Sequence, residues 1–501
     1  KALSIRTVAV SCFVGLSVYI VFAKAYFFFN LNYTHDLLNC TQIATSWLHG
    51  QPLFYYANGG EGSYVHNYFI LLLLAPLVEF FGPVGLFLAL GGFLIVASTS
   101  LGRWISLEAT TDGRLQRAAL ASLLLFGPIP FWIYDDYEYG FNAELFYLPI
   151  GISFALSLSR RSRFAVLWAA LLVLVKESGA VLGCCIFLAH RLGAEQQDTR
   201  SMRTVSRAVV RGALPWVGVF ALGMLLLLFS SQASASRLDR ALNYLSMSGG
   251  AFDSWLAIVA MILAAVVMVW TILVFVPRDV ARILYFVLVP LPIWIVEMIS
   301  SFAYDASPQV VYAHGVTWQP RFVVLWAYYA SLLLFHYRGR SCPTRGKGTF
   351  ALILAMSAGL QILFLFAFRS INVAHRFFGP LQGSSSIDQM LTHRDQSLLW
   401  CLSDALPRER TVVAAARLST ALYRQHTLSC QDALLQRVAP KIVIFNSHEE
   451  HQSSAGWCRR VVEKNSRLRP AGPSDNGLLL MVEPSVAEDV DRCLEPAGTG
   501  D

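Results

Sequence analysis

The stretch TVAVSCFVGLSVYIVFAKAYFFFNLNYTHD, residues 7–36, decides how this chain is read. Residues 7–23 carry no charge, and roughly 20 apolar residues in helical form cross a hydrocarbon core. The run is too long for a removed signal peptide and lacks a small-residue cleavage site, so it is expected to be the first spanning helix. At its far end stand His35 and Asp36, a carboxylate beside an imidazole where the chain has just left an apolar environment. Similar runs, nearly free of charge, recur at 80–102, 118–134, 145–159, 212–236, 254–277, 283–296, 322–335 and 348–368. A helix satisfies its own backbone polar groups, so lipid favours a helical bundle.

Composition points the same way. Of 501 residues, 55% are hydrophobic and only 14% charged, with a mean hydropathy of +0.51. Soluble domains run at about a quarter charged, so the usual inference of several soluble domains from length does not apply.

The net charge of +7 would suit a nucleic-acid partner, but the placement of Lys and Arg argues for a lipid bilayer instead. With Lys1 and Arg6 placed inside, the other inside segments hold Arg103, Arg114 and Arg117; Arg160, Arg161 and Arg163; Arg191 to Arg211; Arg278 and Arg282; and Arg338 to Lys347. The outside segments 31–65, 135–144 and 302–320 hold no Lys or Arg, and only 231–253 departs, with Arg237 and Arg240. Such asymmetry places the N-terminus in the cytoplasm. The expected location is the cytoplasmic membrane, crossed many times.

This orientation gives about eleven crossings: 7–29, 83–102, 118–134, 145–159, 164–175, 178–190, 212–230, 254–276, 283–301, 321–336 and 348–368. Segment 67–81, interrupted by Glu79 and ended by Gly82-Pro83, is expected to be a juxtamembrane or partly embedded helix. After Phe368 the chain turns polar. Strand-like runs at 411–416, 441–445 and 477–484 alternate with helix-like segments near 397–406 and 431–438, which predicts a small α/β domain on the outer face. The expected organisation is thus mostly α: a transmembrane helical domain over 1–368 and an extracytoplasmic α/β domain over 369–501. Four of nine cysteines (Cys401, Cys430, Cys458 and Cys493) fall in the outer domain, which suits two disulfides whose pairing the sequence leaves open. Cys184-Cys185 reads as helix packing, and no metal-ligand spacing appears. There is no phosphate-binding loop of the Walker type, no dinucleotide fingerprint and no Gly-x-Ser-x-Gly elbow.

Ionisable residues at membrane depth are costly and usually functional. Five segments deliver them to the outer boundary. The first outer loop supplies His35, Asp36, Glu61 and His66; the next supplies Asp135, Asp136, Glu138, Asn142 and Glu144. Lys176-Glu177 and Glu297 lie at helix ends, and the last loop supplies Asp305, His314 and Arg321. Each also has a plainer reading. Loop acids such as Glu61 and Asp305 are ordinarily solvated, Asp36 suits a helix N-cap, and Lys176-Glu177 suits a packing ion pair.

The order of features resembles the C-type superfamily of polyprenyl-phosphate-dependent glycosyltransferases. It runs from a spanning helix through a loop opening with Asp36 and an amphipathic segment to a Gly50–Leu53 turn and VHNYFILLLLAPL. More closely, the chain resembles a bacterial family of membrane proteins of unknown function related to that superfamily. There the matching runs are YGFNAELFYLP and LVKESGAVL, with Asn142 in place of the family's His and Ser178 in place of its second acid. The resemblance implies transfer of a sugar from a polyprenyl-phosphate donor to a glycan, lipid or protein acceptor. It implies Asp36 as catalytic base, with Glu138 or Glu144 as second acid, and Lys176 and Arg321 on the donor phosphate. His35, His66, Asn142, Glu177 and His314 complete the implied substrate contacts. The sequence establishes no cofactor, and a divalent metal stays open. The competing readings are a lipid or solute transporter, and a non-catalytic scaffold whose outer domain binds a ligand.

Overall fold

The computed structural model describes residues 4–59, 68–135, 140–176, 178–195, 393–415, 417–446, 453–471 and 478–494, with scattered helical positions between 214 and 362. The protein is mostly helical, with a small C-terminal sheet. Two units emerge, one of residues 1–19, 90–134 and 143–373, the other of 20–89, 135–142 and 374–501.

Among the described residues, two helices are long and apolar enough to cross a membrane: α1 (Ile5–Phe29) and α5 (Val84–Ser106). Of the most apolar stretch, 28% is buried in α1 and 56% in α5. Together the two helices point to a membrane protein. Short helices follow α1, namely α2 (His35–Thr45), α3 (Phe69–Leu73) and α4 (Ala75–Phe81). At five and seven residues, α3 and α4 are far too short to cross, and Pro76 in the first turn of α4 accounts for the break between them.

In the first unit, α6 (Thr111–Phe126) and α7 (Pro128–Asp135) occupy the expected crossing at 118–134, divided at Gly127-Pro128. Proline tolerates only the first turn of a helix, so a new helix starts there. Arg117 of α6 is buried under the end of α5, donating to the Trp104 carbonyl (2.8 Å) and pairing with Glu108 (3.0 Å). Three helices then pack on one another: α8 (Tyr147–Ser159), α9 (Phe164–Val175) and α10 (Ser178–Glu195). At 13 and 12 residues, α8 and α9 rise only about 20 Å and 18 Å, short of a ~30 Å hydrocarbon core. The expected crossings 212–230, 254–276, 283–301, 321–336 and 348–368 lie largely outside the described residues.

The second unit holds the sheet. Its order is β2 (His426–Ser429), β1 (Thr411–Ala414), β3 (Ile442–Asn446), β5 (Leu478–Val482), β4 (Arg469–Pro470). β1 is parallel to β2 and β3, and β5 runs antiparallel to β3 and β4. Helices α11 (His393–Ala405), α12 (Cys430–Leu435), α13 (Ser453–Glu463) and α14 (Ala487–Leu494) accompany it. β3 is buried along its whole length, as a central strand covered on both faces should be. The four cysteines form the disulfides Cys401–Cys493, tying α11 to α14, and Cys430–Cys458, tying α12 to α13.

The loop after α1 belongs to the same core. Leu31 and Ala57 are buried with Leu399, Leu402, Val412, Val413 and Ile442. Leu31 takes a left-handed backbone (φ 56°) at the end of α1, where the Asn32 and Leu31 N–H groups cap the Phe27 and Phe28 carbonyls. That conformation costs a non-glycine residue about 1–2 kcal/mol, offset by about 1.5–3 kcal/mol from burying the leucine. Asn58 covers the free edge of β2, its Oδ1 accepting from the Ser429 N–H (2.6 Å). An edge strand needs such cover to avoid pairing with other chains.

Candidate functional site

The polar residues to be placed fall in two clusters, one in each unit. In the second unit, Thr34 takes the N-cap position of α2 and His35 opens the helix, so Asp36 is the second helical residue. The N-cap reading of Asp36 is therefore replaced: the carboxylate stands in the first turn, where the helix dipole favours negative charge by about 0.3–1 kcal/mol. One face of α2 is buried through Leu37, Leu38, Cys40, Thr41 and Ala44, while Asp36 is half-buried.

Around that face the contacts form a ring. Cys40 Sγ reaches the Phe141 carbonyl (3.8 Å), and the Phe141 and Phe87 rings lie 6.4 Å apart. Lys24 of α1, only 2% exposed, holds its ammonium over Phe87 (5.6 Å to the ring centre) and Tyr33 (5.4 Å). Tyr33 then leads back into α2. Gly140 has φ +76° and lies so close to Tyr33 that a Cβ would sit 2.3 Å from its ring, so only glycine fits. Asn142, 5% exposed, follows Phe141 directly.

Beside this ring, α4 presents Glu79. Arg408 donates to one carboxylate oxygen (2.8 Å) and His49 meets the other (3.0 Å). Burial pushes the Glu79 carboxyl up, but the Arg408 and His49 hydrogen bonds and charges outweigh it and hold the group below the ordinary glutamate value.

In the first unit, Glu144 sits in a 3-10 turn (Ala143–Phe146) and is buried. Lys176 is the extended residue between α9 and α10, its Nζ 2.8 Å from Glu144 Oε1. The two side chains are 9% and 11% exposed, so this is a buried ion pair. Next to it the Ser178 hydroxyl bonds the Tyr147 hydroxyl (2.9 Å), and Tyr329 donates to the Tyr147 carbonyl (2.6 Å). The hairpin is tight: a Cβ on Gly179 would meet the Leu172 carbonyl oxygen at 1.7 Å.

Of the residues expected at a site, Asp36 and Asn142 thus belong to one unit, and Glu144 and Lys176 to the other. His35 contributes its backbone to the start of α2. Glu138, His66, Glu177, His314 and Arg321 lie outside the described residues. Sequence reasoning missed Lys24, although a lone charge in a long apolar run is itself a signal. The described residues contain no group of three or more His, Cys, Asp or Glu able to hold a metal ion. No protein-family model matches the chain, and no curated protein matches it either.

Proposed function

We propose that this chain is an integral membrane glycosyltransferase. It moves a sugar from a polyprenyl-phosphate donor to a glycan, lipid or protein acceptor on the outer face of the cytoplasmic membrane. The observation that carries the reading is Asp36, a half-buried carboxylate in the first turn of α2, a helix whose buried face meets Phe141 through Cys40. A base in this position takes the proton of an acceptor hydroxyl as its oxygen attacks the anomeric carbon. The bond from that carbon to the phosphate oxygen breaks, and the lipid phosphate leaves with the electron pair. Cations near the leaving group would stabilise its charge, the role proposed for Lys176 and Arg321. Lys176 is held by Glu144 in this structure, so a donor phosphate would compete with that carboxylate. The two disulfides support an oxidising, external location for the C-terminal domain.

The test is transfer from a polyprenyl-phosphate sugar by purified protein, with thermal stability measured alongside. Asp36→Asn keeps the size of the side chain, whereas loss of a general base costs about 10²–10⁴-fold in rate. Full activity in Asp36→Asn would move the base elsewhere. One observation favours a transporter as the second reading: the interruption between α9 and α10, with a buried charge at the break, is a device of substrate-binding helices in transporters. Uptake without transfer by wild type would select it.

A further inference from the structure

We propose that the turn between α8 and α9 is the centre of a binding site for an anionic phospholipid: Arg103, Arg160, Arg161, Arg163 and Arg191 take the phosphate, and the exposed face of α9 takes the acyl chains. The site rests on the membrane part of the proposed function and is independent of sugar transfer.

Three parts of the first unit bring the arginines together. Arg160, Arg161 and Arg163 occupy the turn 160–163 that joins α8 to α9. Arg160 Nη2 donates to the Ser100 carbonyl of α5 (3.0 Å). Arg103 lies one turn beyond Ser100 on the same helix, a spacing that puts the two on one face. On the far side of the turn, His190 of α10 is within reach of the charges of both Arg191 and Arg161. Arg161 takes a left-handed backbone (φ 53°). There the Ser162 N–H bonds the Ser157 carbonyl and the Arg161 N–H bonds the Leu158 carbonyl, each at 2.9 Å. Glycine is the usual residue at that place in a helix end, yet the chain puts an arginine there.

The cluster stays positive, because a guanidinium does not lose its proton in a protein. Burial and the Arg103 charge both push the half-buried Arg160 below the ordinary arginine value, so like charges face each other. Glu108, the acid that follows α5, pairs with Arg117 instead. Among the described residues, none of the five arginines forms an ion pair. Each guanidinium fork matches the oxygens of a phosphate. The neighbouring surface selects a lipid over free phosphate. α9 carries no charged residue, and Phe164, Val166 and Leu167, just after Arg163, are 55%, 76% and 50% exposed. The Arg163 guanidinium lies over the Phe164 ring (5.7 Å), a cation set at the boundary between apolar and polar surroundings. In the orientation implied by the arginine asymmetry, this is the cytoplasmic leaflet.

The experiment uses the full-length protein in detergent, titrated with dioleoyl phosphatidylglycerol, dioleoyl phosphatidylcholine or inorganic phosphate. Native mass spectrometry reads bound lipid, and the melting temperature is measured alongside. Wild type should bind phosphatidylglycerol ahead of phosphatidylcholine and melt higher with it. Arg103→Gln/Arg160→Gln should weaken phosphatidylglycerol binding about 25-fold, at about fivefold per arginine, and leave phosphatidylcholine binding unchanged. Arg459→Gln/Lys464→Gln, which removes two exposed charges at the end of α13, should leave both unchanged. Where Arg103→Gln/Arg160→Gln yields no folded protein, Arg163→Gln/Arg191→Gln makes the same comparison, since those side chains lie over the nearby Phe164 and Phe187 rings. Equal binding of the two lipids by wild type, undiminished phosphatidylglycerol binding by the arginine variant, or an equal loss in the control would overturn the site. Inorganic phosphate raising the melting temperature as much as phosphatidylglycerol does would replace the lipid with a soluble anion. Sugar transfer by a wild type without lipid preference would end this proposal and leave the enzyme reading. Selective phosphatidylglycerol binding by a protein that transfers no sugar would do the reverse.

Discussion

Replacing Lys176 with methionine removes the cation 2.8 Å from Glu144, a carboxylate that is 9% exposed. At that separation, with an effective dielectric near 20, the lost attraction is about 6 kcal/mol. The protein does not bear the whole of this, because Glu144 can take up a proton instead. From an ordinary glutamate value near 4.3, protonation at pH 7 costs about 3.7 kcal/mol, which caps the loss. The same reckoning at pH 5 gives about 1 kcal/mol. In the variant the folded-state affinity of Glu144 for a proton exceeds the unfolded one. Stability is therefore fully present at low pH and is lost as pH rises. The first unit contains roughly 300 residues, so at about 2.1 cal/mol/K per residue the pH 7 loss corresponds to about 6 °C. Glu144→Gln removes the carboxylate from beside the ammonium instead, and its loss should shrink as pH rises. The double variant Lys176→Met/Glu144→Gln leaves no buried charge and should melt close to wild type, since replacing a whole buried pair is often neutral. The assay is thermal unfolding of the four proteins in one detergent at pH 5 and pH 7. A Lys176→Met loss under ~1 kcal/mol at pH 7, or one of equal size at both pH values, would refute the buried-pair account.

Two further expectations follow from the second unit. Peptide mapping without reduction should recover Cys401 linked to Cys493 and Cys430 linked to Cys458, separations of 92 and 28 residues; loop closure in the unfolded chain makes these worth about 4.6 and 3.6 kcal/mol, so Cys401→Ser should destabilise at least as much as Cys430→Ser. Glu79 binds protons less readily when folded than when unfolded, so its contribution is present above the ordinary glutamate value and is lost as pH falls through the lowered one. Arg408→Ala should weaken that acid-side dependence, leaving the His49 share, read as hydrogen exchange in α4 between pH 3 and 6, at a cost at neutral pH of about 1 kcal/mol or less because the pair is partly exposed.

Much of the architecture was legible in one dimension. The charge-free run at 7–23 and the run ending at Gly102 belong to the two helices that, among the described residues, are long and apolar enough to cross a membrane. Hydrophobicity along a helix is a local property, and length settles whether it spans. The breaks at Pro76 and Pro128 were not read, each falling inside a segment expected to be one helix, although the cause is local, since a proline cannot continue an existing helix. Strand-like runs at 411–416, 441–445 and 477–484 became β1, β3 and β5. The short edge strands β2 and β4 were missed because His426–Ser429 and Arg469–Pro470 carry too few β-branched or aromatic residues to signal themselves. They exist because neighbouring strands supply hydrogen-bond partners.

The candidate site divided along the same line. Asp36 and Lys176 stood out in the sequence because ionisable residues are rare in apolar surroundings, and Lys24 could have been read by the same signal. Their partners could not. That Lys176 would meet Glu144 across 32 residues, and that Lys24 would lie between Tyr33 and Phe87, depends on how the helices pack. So does the inclusion of Leu31 and Ala57 in the core around the sheet, and the choice of Cys493 as partner for Cys401. The sequence by itself determined which segments are apolar, where helices must break and which residues are chemically out of place. Only the tertiary structure decided who pairs with whom, because pairing is a property of distances between segments remote in the chain, and those distances are set by the packing of whole helices and strands.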